Sequence, residues 1–212
     1  MKLGYFVTGT DTEIGKTAVS CALLRSFSMR GLKSAGMKPI SSGSDDAERL
    51  SAAASVELPC ELLNSFSFKT PVAPHIAAFN EGAKIDIDKI VHAYESIEAD
   101  VVIVEGVGGF LVPLNESQDV SDLAKSLKLP VILVVGMKLG AINHARLTFE
   151  AIKSRGIDCA GWVANRIDPG MKAFDEVLAS IRRHIDAPLI DVTPFDPEGN
   201  FRIDVSSLVN PR

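Results

Sequence analysis

The segment GTDTEIGKT, residues 9–17, has the residue types of a phosphate-binding loop in an unusual spacing. The common pattern places four residues between its two glycines, whereas five separate Gly9 from Gly15 here. Glycines allow backbone N–H groups to converge on a phosphate, Lys16 would contact the β- and γ-phosphates, and Thr17 would offer a hydroxyl to Mg²⁺. The segment follows an apolar run and opens a helical pattern, so we predict a nucleotide site.

Acidic residues at two other places could hold the magnesium ion of a nucleotide. Glu105 ends the apolar run VVIVE, and a carboxylate there is costly to bury unless it is paired or bound to a metal. Asp45 and Asp46 follow an earlier apolar run, and one of them could face the ion. Mg²⁺ keeps several waters and needs only one or two carboxylates. Alternatively, Glu105 is a strand-end residue that reaches solvent, and Asp45 and Asp46 only interact favourably with the dipole at the N-terminus of a helix.

A second lysine, Lys38, ends another apolar run in the segment GMKPISSGS. Lys38 and Lys16 would approach the same phosphate region, although a nucleotide switch needs only one lysine. The second cation indicates that negative charge develops beyond the γ-phosphate, as in phosphoryl transfer to an anionic acceptor. Ser42 and Ser44 could hydrogen-bond that acceptor. The alternative is a solvated lysine at the end of a strand.

Alternating strands and helices must position these residues. Apolar runs predict strands at 3–9, 34–40, 99–109, 129–136, 159–166 and 187–195. Helical spacing predicts helices at 15–31, 44–55, 87–97, 120–127, 141–156 and 172–185. This alternation implies a doubly wound α/β fold with a mainly parallel sheet, in which ligands lie at the carboxyl ends of the strands. Two segments, 56–82 and 196–212, are expected to be irregular or uninformative.

The bulk composition limits the classes of partner. The chain has 212 residues, of which 46% are hydrophobic and 23% charged, as expected for one domain spanning residues 1–212. A formal net charge of −5 provides no broad attraction to nucleic acid or to an anionic membrane, so we expect neither as a partner. Since no signal peptide and no membrane-spanning run is recognisable, we expect a cytoplasmic protein. The three cysteines are widely spaced, and we expect them to be small buried residues.

Several segments, taken together and in order, resemble the dethiobiotin synthetases of the biotin pathway. They are YFVTGTDTEIGKT, AGMKPISSGS, VIVEGVGGFLVPL, PVILVVGMKLGAINHARLT and AGWVAN, which lie between about residue 4 and residue 166. The longer loop spacing is the form found in that family. The resemblance implies a P-loop NTPase fold, a homodimer, ATP and Mg²⁺. It also implies 7,8-diaminopelargonic acid and CO₂ (or bicarbonate) as substrates of a ring-closing ligase.

The implied reaction gives the two lysines a use. One substrate amine adds CO₂ to form a carbamate, whose oxygen attacks the γ-phosphate. The second amine then closes a cyclic urea on the mixed carbamic–phosphoric anhydride, and phosphate leaves. By resemblance, Lys38 lies at the carbamate and the γ-phosphate, Lys16 and Thr12 complete the catalytic group, and Ser42 contacts the substrate. The implied Mg²⁺ ligands are Thr17, Asp46 and Glu105, with Asp46 preferred over Asp45 from the position of the following helix.

The resemblance also implies residues around the rest of the nucleotide and the substrate. Those that surround the phosphates are Glu13, Ile14, Gly15, Lys16, Thr17 and Ala18, flanked by Gly106, Gly108 and Gly109. Those near the base are Asn165, Arg166, Pro194 and Phe195. Those that bind the carboxylate tail, from the other subunit, are Gly140, Ala141, Ile142 and Asn143, whose N–H groups open a helix. Adenine is the implied base, although an Asn amide both donates and accepts and could also serve GTP or CTP.

Two other classes of protein share a loop of this kind. A cobyrinate-type or other amide-forming ligase would use the same loop and metal with a carboxylate acceptor, but it has no special need for residues 38–42. A partition-type ATPase would convert hydrolysis into a conformational change. That class favours a lysine directly after the first glycine of the loop, where Thr10 stands here. It also often carries a surface for membrane or DNA, which the net charge of −5 does not support.

Overall fold

A computed structural model describes residues 2–196 and 198–209. The first half of the chain forms β1 (Leu3–Gly9), α1 (Lys16–Met29), β2 (Ser34–Met37), β3 (Ile40–Ser42), α2 (Asp46–Ala53), α3 (Cys60–Leu63), β4 (Phe66–Phe68), α4 (Pro74–Asn80) and α5 (Ile87–Glu95). The second half forms β5 (Val101–Glu105), α6 (Val120–Leu127), β6 (Val131–Met137), α7 (Ala141–Ser154), β7 (Cys159–Arg166), α8 (Phe174–His184), β8 (Leu189–Thr193) and α9 (Ser206–Val209).

Six strands form one parallel sheet in the order β2-β5-β1-β6-β7-β8. From β1 the chain builds β2 and β5 on one side, and β6, β7 and β8 then extend the sheet on the other. The loop after β1 therefore lies where the strand order reverses, which is where doubly wound sheets bind ligands. The predicted α/β fold with a mainly parallel sheet is confirmed.

Both faces of the sheet are covered by apolar packing, as the continuous apolar strands require. In β1, Phe6 points into one core, while Tyr5 and Val7 point into the other. Helices α1, α2 and α9 cover the second of these faces, and α4 to α8 cover the first. The alternation follows from the two-residue period of a strand.

The strand predicted at 34–40 is wrong in its second half. It ends at Met37, and the Lys38 N–H donates to the Leu63 carbonyl at 2.8 Å instead of to a neighbouring strand. Pro39 has no N–H to offer a sheet, so the ladder stops there. The chain resumes as β3, which pairs with β4 in a separate two-stranded sheet.

The segment 56–82 is more ordered than predicted. It contains α3, β4 and α4, all too short to show a clear period in the sequence. The prolines that favoured an irregular segment instead mark helix starts, since Pro59 precedes α3 and Pro74 is the first residue of α4. Cys60, expected to be buried, is exposed, whereas Cys21 is buried and Cys159 is half-buried.

The C-terminal segment also has a structural role that its sequence did not indicate. Phe201, Ile203, Val205 and Leu208 are buried in the core that contains α1. The Tyr5 hydroxyl donates to the Leu208 carbonyl at 2.6 Å. Residue 197 and residues 210–212 of this segment lie outside the described part of the chain. Within residues 2–196 and 198–209, no helix has the length and apolar character needed to cross a membrane.

Candidate active site

The loop between β1 and α1 depends on glycine at both ends. Gly15 has φ 81°, and a Cβ there would lie 2.2 Å from the Asn165 amide nitrogen. A Cβ on Gly9 would lie 2.8 Å from the Ile14 side chain. Helix α1 has no side-chain cap at its N-terminus, so its first N–H groups remain free for an anion.

The burial of Ile14 accounts for the extra residue of the loop. The Ile14 side chain is fully buried and packs on β6, where a Cβ at Gly136 would lie 2.5 Å from Ile14 Cγ2. Ile14 thus holds the loop against the sheet, and Asp11, Thr12 and Glu13 form a polar bulge outside it. The Thr12 N–H donates to the Asp11 carboxylate at 2.8 Å. Thr12 is exposed and contacts neither Lys16 nor Lys38 through a hydrogen bond among the described residues.

Lys16, the first residue of α1, is buried beneath this loop. Its ammonium donates to the Asp11 carbonyl at 2.8 Å. Burial and, next to it, the positive charge of Lys38 lower the pKa of Lys16 to about 8, although the carboxylates of Glu105, Asp46 and Asp11 oppose this shift. Lys16 is therefore mostly protonated at neutral pH and loses its proton above about pH 8.

Lys38 lies between the two predicted magnesium-binding carboxylates. Its Nζ is 2.6 Å from Glu105 Oε1, 3.0 Å from Asp46 Oδ2 and 3.1 Å from the Gly106 carbonyl. Burial alone would lower the pKa of Lys38, but the Glu105 and Asp46 carboxylates outweigh it and leave that pKa above its ordinary value. Burial opposes ionisation of Asp46 as well, but Lys38 together with hydrogen bonds from Thr17 and Ser44 more than compensates, so the pKa of Asp46 is lowered. The lysine and Asp46 are therefore held in their charged forms.

The Thr17 hydroxyl completes this group of oxygens. It lies 2.8 Å from Asp46 Oδ1 and 2.9 Å from Glu105 Oε1. Glu105 is fully buried, and its other oxygen, Oε2, has no hydrogen-bond partner among the described residues. Asp45, by contrast, caps α2 without a side-chain bond. Two carboxylates and a hydroxyl with an unused buried oxygen suit Mg²⁺, which prefers hard oxygen ligands.

No group of three or more His, Cys, Asp or Glu side chains within residues 2–196 and 198–209 could hold a metal on its own. The oxygens of Thr17, Asp46 and Glu105 would therefore bind an ion that also takes ligands from water or from nucleotide phosphates, as Mg²⁺ usually does. The glycine turn after β5 lies alongside: the Gly106 N–H donates to the Val7 carbonyl, and a Cβ on Gly109 would come 3.9 Å from the Gly9 carbonyl.

Other predicted residues lie around this centre. Ser42 ends β3, and its buried hydroxyl has no partner among the described residues. Ala18 lies on α1 against Gly199, where an added Cβ would approach it to 2.9 Å. Gly108 adopts φ 62° in the turn that follows Glu105.

The predicted base-side residues follow β7 and β8. The Asn165 amide nitrogen donates to the Ile14 carbonyl at 2.7 Å, and its oxygen accepts from the Thr193 hydroxyl. The Arg166 guanidinium lies over the ring of Phe174, 4.1 Å from the ring centroid. Pro194 and Phe195 directly follow β8, and Phe195 is exposed.

The predicted tail-binding residues line a groove of about 570 Å³ at the start of α7. Helix α7 has Gly140 at its N-cap with φ 91° and no side-chain cap. The groove residues from the predicted set are Gly140, Ala141, Ile142 and Asn143. Two cations that the sequence did not suggest, Lys138 and Arg146, line the same groove.

Lys138 links this groove to the phosphate loop. Its Nζ lies 3.0 Å from Asp11 Oδ2, and this hydrogen bond is the main cause of the lowered pKa of Asp11. The pair joins residues 127 positions apart in the chain. In the sequence, the one feature that could have pointed to Lys138 as a site residue is its position directly after β6, which ends at Met137.

Comparison with known proteins places the chain in a family. The family described as "AAA domain" matches residues 3–199. The protein named ATP-dependent dethiobiotin synthetase BioD of Aromatoleum aromaticum is 55% identical over 201 residues, which are 90% of this chain and 89% of that protein. The protein of the same name from Nitrosospira multiformis is 47% identical over 217 residues, 99% of this chain and 96% of its own.

The chain belongs to the dethiobiotin synthetase family.

Solved structures agree on the fold of this family member. The septum site-determining protein MinD complexed with Mg-ADP from Pyrococcus horikoshii has a TM-score of 0.64 and 15% identity, over 94% of this chain and 85% of that one. A ParA family ATPase from Chlorobium tepidum has a TM-score of 0.57 and 15% identity, over 93% and 85% of the two chains. At such identities the likeness shows the P-loop NTPase fold alone. It confirms the predicted fold, and the dethiobiotin synthetase relatives confirm the predicted family.

The lowered pKa of Lys16 predicts how ADP binding depends on pH. In metal-free buffer, ADP affinity should be constant below pH 8 and should fall above it, by up to about tenfold per pH unit, because the free protein loses the ammonium that is predicted to contact the phosphates. Calorimetric titration between pH 7 and 9.5 measures this. A Lys16→Met variant should bind weakly with no break near pH 8. Unchanged wild-type affinity across the range would contradict the assignment of Lys16.

Proposed function

We propose that the chain closes the ureido ring of dethiobiotin from 7,8-diaminopelargonic acid, CO₂ and ATP, at the edge of the sheet where β1, β2 and β5 end. The observation that carries the proposal is a second buried lysine, Lys38, beside the phosphate loop of a chain 55% identical to an ATP-dependent dethiobiotin synthetase. A lysine at this position supplies charge for an anionic acceptor. The enzyme is accordingly an ATP-dependent ligase of biotin biosynthesis.

The phosphate loop would bind the nucleotide through its backbone. The residues from Glu13 to Ala18 would surround the phosphates, with the turn from Gly106 to Gly109 alongside. Lys16 would turn its ammonium from the Asp11 carbonyl to the β- and γ-phosphates. Support comes from the uncapped start of α1 and from the left-handed Gly15, which brings the backbone close to its ligand.

Magnesium would be held by Thr17, Asp46 and Glu105. When bound, Mg²⁺ would neutralise phosphate charge and polarise the transferred phosphoryl group. The fit rests on the converging oxygens and on the unpartnered Glu105 Oε2. In this structure both carboxylates are paired with Lys38. Once a divalent cation neutralises the carboxylates, the Lys38 ammonium would no longer be held by them, and its flexible side chain could turn toward the acceptor.

The chain needs no covalent nucleophile for this reaction. Its residues must hold a carbamate in line with the γ-phosphate and offset the charge that develops between them. Lys38 and Lys16 would supply that charge, and Thr12 on the polar bulge would contact the carbamate. The buried, unpartnered Ser42 hydroxyl would bind the substrate nitrogen or the carbamate.

We also propose a cytoplasmic homodimer in which residues 1–212 act as one domain. The two apolar cores share one six-stranded sheet, which favours a single domain. Leu139 in the groove and Leu147 further along α7 are exposed, and a partner subunit would cover them. The groove would then offer the N–H groups of Gly140, Ala141, Ile142 and Asn143 to the substrate carboxylate of the partner's site.

A product assay tests the proposed function. Purified protein incubated with 7,8-diaminopelargonic acid, bicarbonate, Mg²⁺ and ATP should form dethiobiotin, detected by mass spectrometry, with one ADP for each product molecule. Incubations without ATP or without bicarbonate should form none. ATP hydrolysis without any cyclic urea at high enzyme concentration would overturn the proposal, and an amide product from a carboxylate acceptor would favour the amide-forming ligases instead.

A further inference from the structure

The Asn165 side chain is held from two sides. Asn165 is the next-to-last residue of β7 and is paired in register with Thr193, the last residue of the neighbouring strand β8. Both side chains are buried. The Asn165 nitrogen donates to the Ile14 carbonyl at 2.7 Å, and the Asn165 oxygen accepts from the Thr193 hydroxyl. The amide thus connects the end of the sheet with the backbone of the phosphate loop.

The Ile14 contact fixes which way the amide faces, and the Thr193 hydroxyl holds the other end of the amide. A backbone carbonyl can only accept a hydrogen bond, so the nitrogen of Asn165 must face Ile14. The Thr193 hydroxyl then donates to the oxygen. The nitrogen also lies against Gly15, where any Cβ would come within 2.2 Å of it. A rotated amide could still donate to the Thr193 hydroxyl, but it would lose the bond to Ile14 and place its oxygen against the Ile14 carbonyl.

The held amide keeps one N–H and one lone pair unused by the described residues. An amide nitrogen has two N–H donors, and an amide oxygen has two lone pairs. A donor beside an acceptor matches the edge of adenine, which presents N7 as an acceptor and its 6-amino group as a donor. A 6-oxo purine presents two acceptors along the same edge, so one of them would face the amide oxygen.

We propose that Thr193 is a positioning residue for base selection, which holds the Asn165 amide so that the site prefers a 6-amino purine nucleotide over a 6-oxo one. The inference rests on the proposed ATP site, since it assumes that the base lies at Asn165. Thr193 acts through Asn165 and does not itself contact the base.

Inosine diphosphate is the matched probe for this proposal, because its base differs from adenine by an oxo group in place of the 6-amino group. We expect wild-type protein to bind ADP at least about tenfold more tightly than IDP, the scale of one bidentate base contact. Thr193→Val keeps the shape of the side chain but removes the hydroxyl, and it should reduce this preference to less than about threefold, mainly by weakening ADP binding. Thr193→Ser keeps the hydroxyl and should retain the wild-type preference. Calorimetric titration measures all the Kd values, and thermal unfolding checks each variant.

If Thr193→Val does not fold, the pair Thr193→Ala and Thr193→Ser makes the same comparison, because only the serine has a hydroxyl. Equal ADP and IDP affinities in the wild-type protein, or a full preference in the variants without a hydroxyl, would overturn the inference. A protein that forms no dethiobiotin but shows the expected pattern would refute the proposed function and leave this inference standing. Dethiobiotin formation together with an unchanged ADP preference in Thr193→Val would support the proposed function and overturn the inference about Thr193.

Discussion

Replacing Lys38 by methionine should lower kcat for dethiobiotin formation by about a thousandfold, the upper range for losing one charged group at a transition state. The Kd for ADP should change by less than about fivefold, because in the proposed site Lys16 and the loop backbone would make the ground-state phosphate contacts. Lys38 would meet charge that develops only when the carbamate attacks. Steady-state product formation and ADP titration, both in saturating Mg²⁺, measure the two quantities.

Two features of the chain make this substitution interpretable. Methionine keeps the length of the apolar stem, and Mg²⁺ can neutralise Glu105 and Asp46, which would otherwise be buried without a cation. Lys33→Met is the matched control, since Lys33 is exposed at the opposite end of β2, and it should leave both quantities unchanged. A loss of ADP affinity as large as the loss of kcat would show instead that Lys38 binds the nucleotide.

Replacing Glu105 by glutamine should reduce kcat by about a hundredfold or more and raise the Mg²⁺ concentration for half-maximal rate at least tenfold. Glutamine fills the same buried volume but lacks the charge with which Glu105 would bind the metal. It also leaves Lys38, which is nearly fully buried, with Asp46 as its only anionic partner among the described residues. Product formation at increasing Mg²⁺ concentration measures both effects.

Glu98→Gln serves as the control for this change, because Glu98 is exposed and lies on the loop that leads into β5. It should show wild-type kcat and wild-type Mg²⁺ dependence. A Glu105→Gln enzyme with an unchanged magnesium requirement would contradict the assignment of Glu105 as a metal ligand, even if its kcat were low.

The parts of the site that could be predicted are those that follow from apolar strands. The apolar runs predicted as strands at 3–9, 34–40 and 99–109 were expected to be buried and parallel, so the polar side chains at their carboxyl ends had to meet at one edge of the sheet. That edge now holds Lys16, Lys38 and Glu105 within one group. The sequence resemblance added the chemistry of a ring-closing ligase, which the strand pattern could not supply.

The parts that could not be predicted depend on contacts between distant segments. Asp11 pairs with Lys138, and Asn165 bonds to both Thr193 and the Ile14 carbonyl. No local pattern in the sequence reports such pairs. The same is true of the C-terminal segment, whose spaced apolar residues pack on α1 although they form no period before α9.

The pairing of Lys38 with Glu105 and Asp46 was also missed, for a different reason. From the sequence, we assigned the carboxylates to a metal ion and the lysine to an anionic acceptor, which is the arrangement expected when metal and substrates are bound. Without such ligands, opposite charges buried at one place pair with one another, because each would otherwise be uncompensated.

The central claim is that a carbamate oxygen attacks the γ-phosphate at the end of β1. Bicarbonate labelled with ¹⁸O tests it most directly, because the carbamate oxygen that forms the mixed anhydride leaves with the phosphate when the urea ring closes. In short incubations of the purified protein with 7,8-diaminopelargonic acid, Mg²⁺ and ATP, mass spectrometry should find one ¹⁸O in the inorganic phosphate released with each dethiobiotin. Dethiobiotin formed together with unlabelled phosphate, from bicarbonate that has kept its label, would contradict the account.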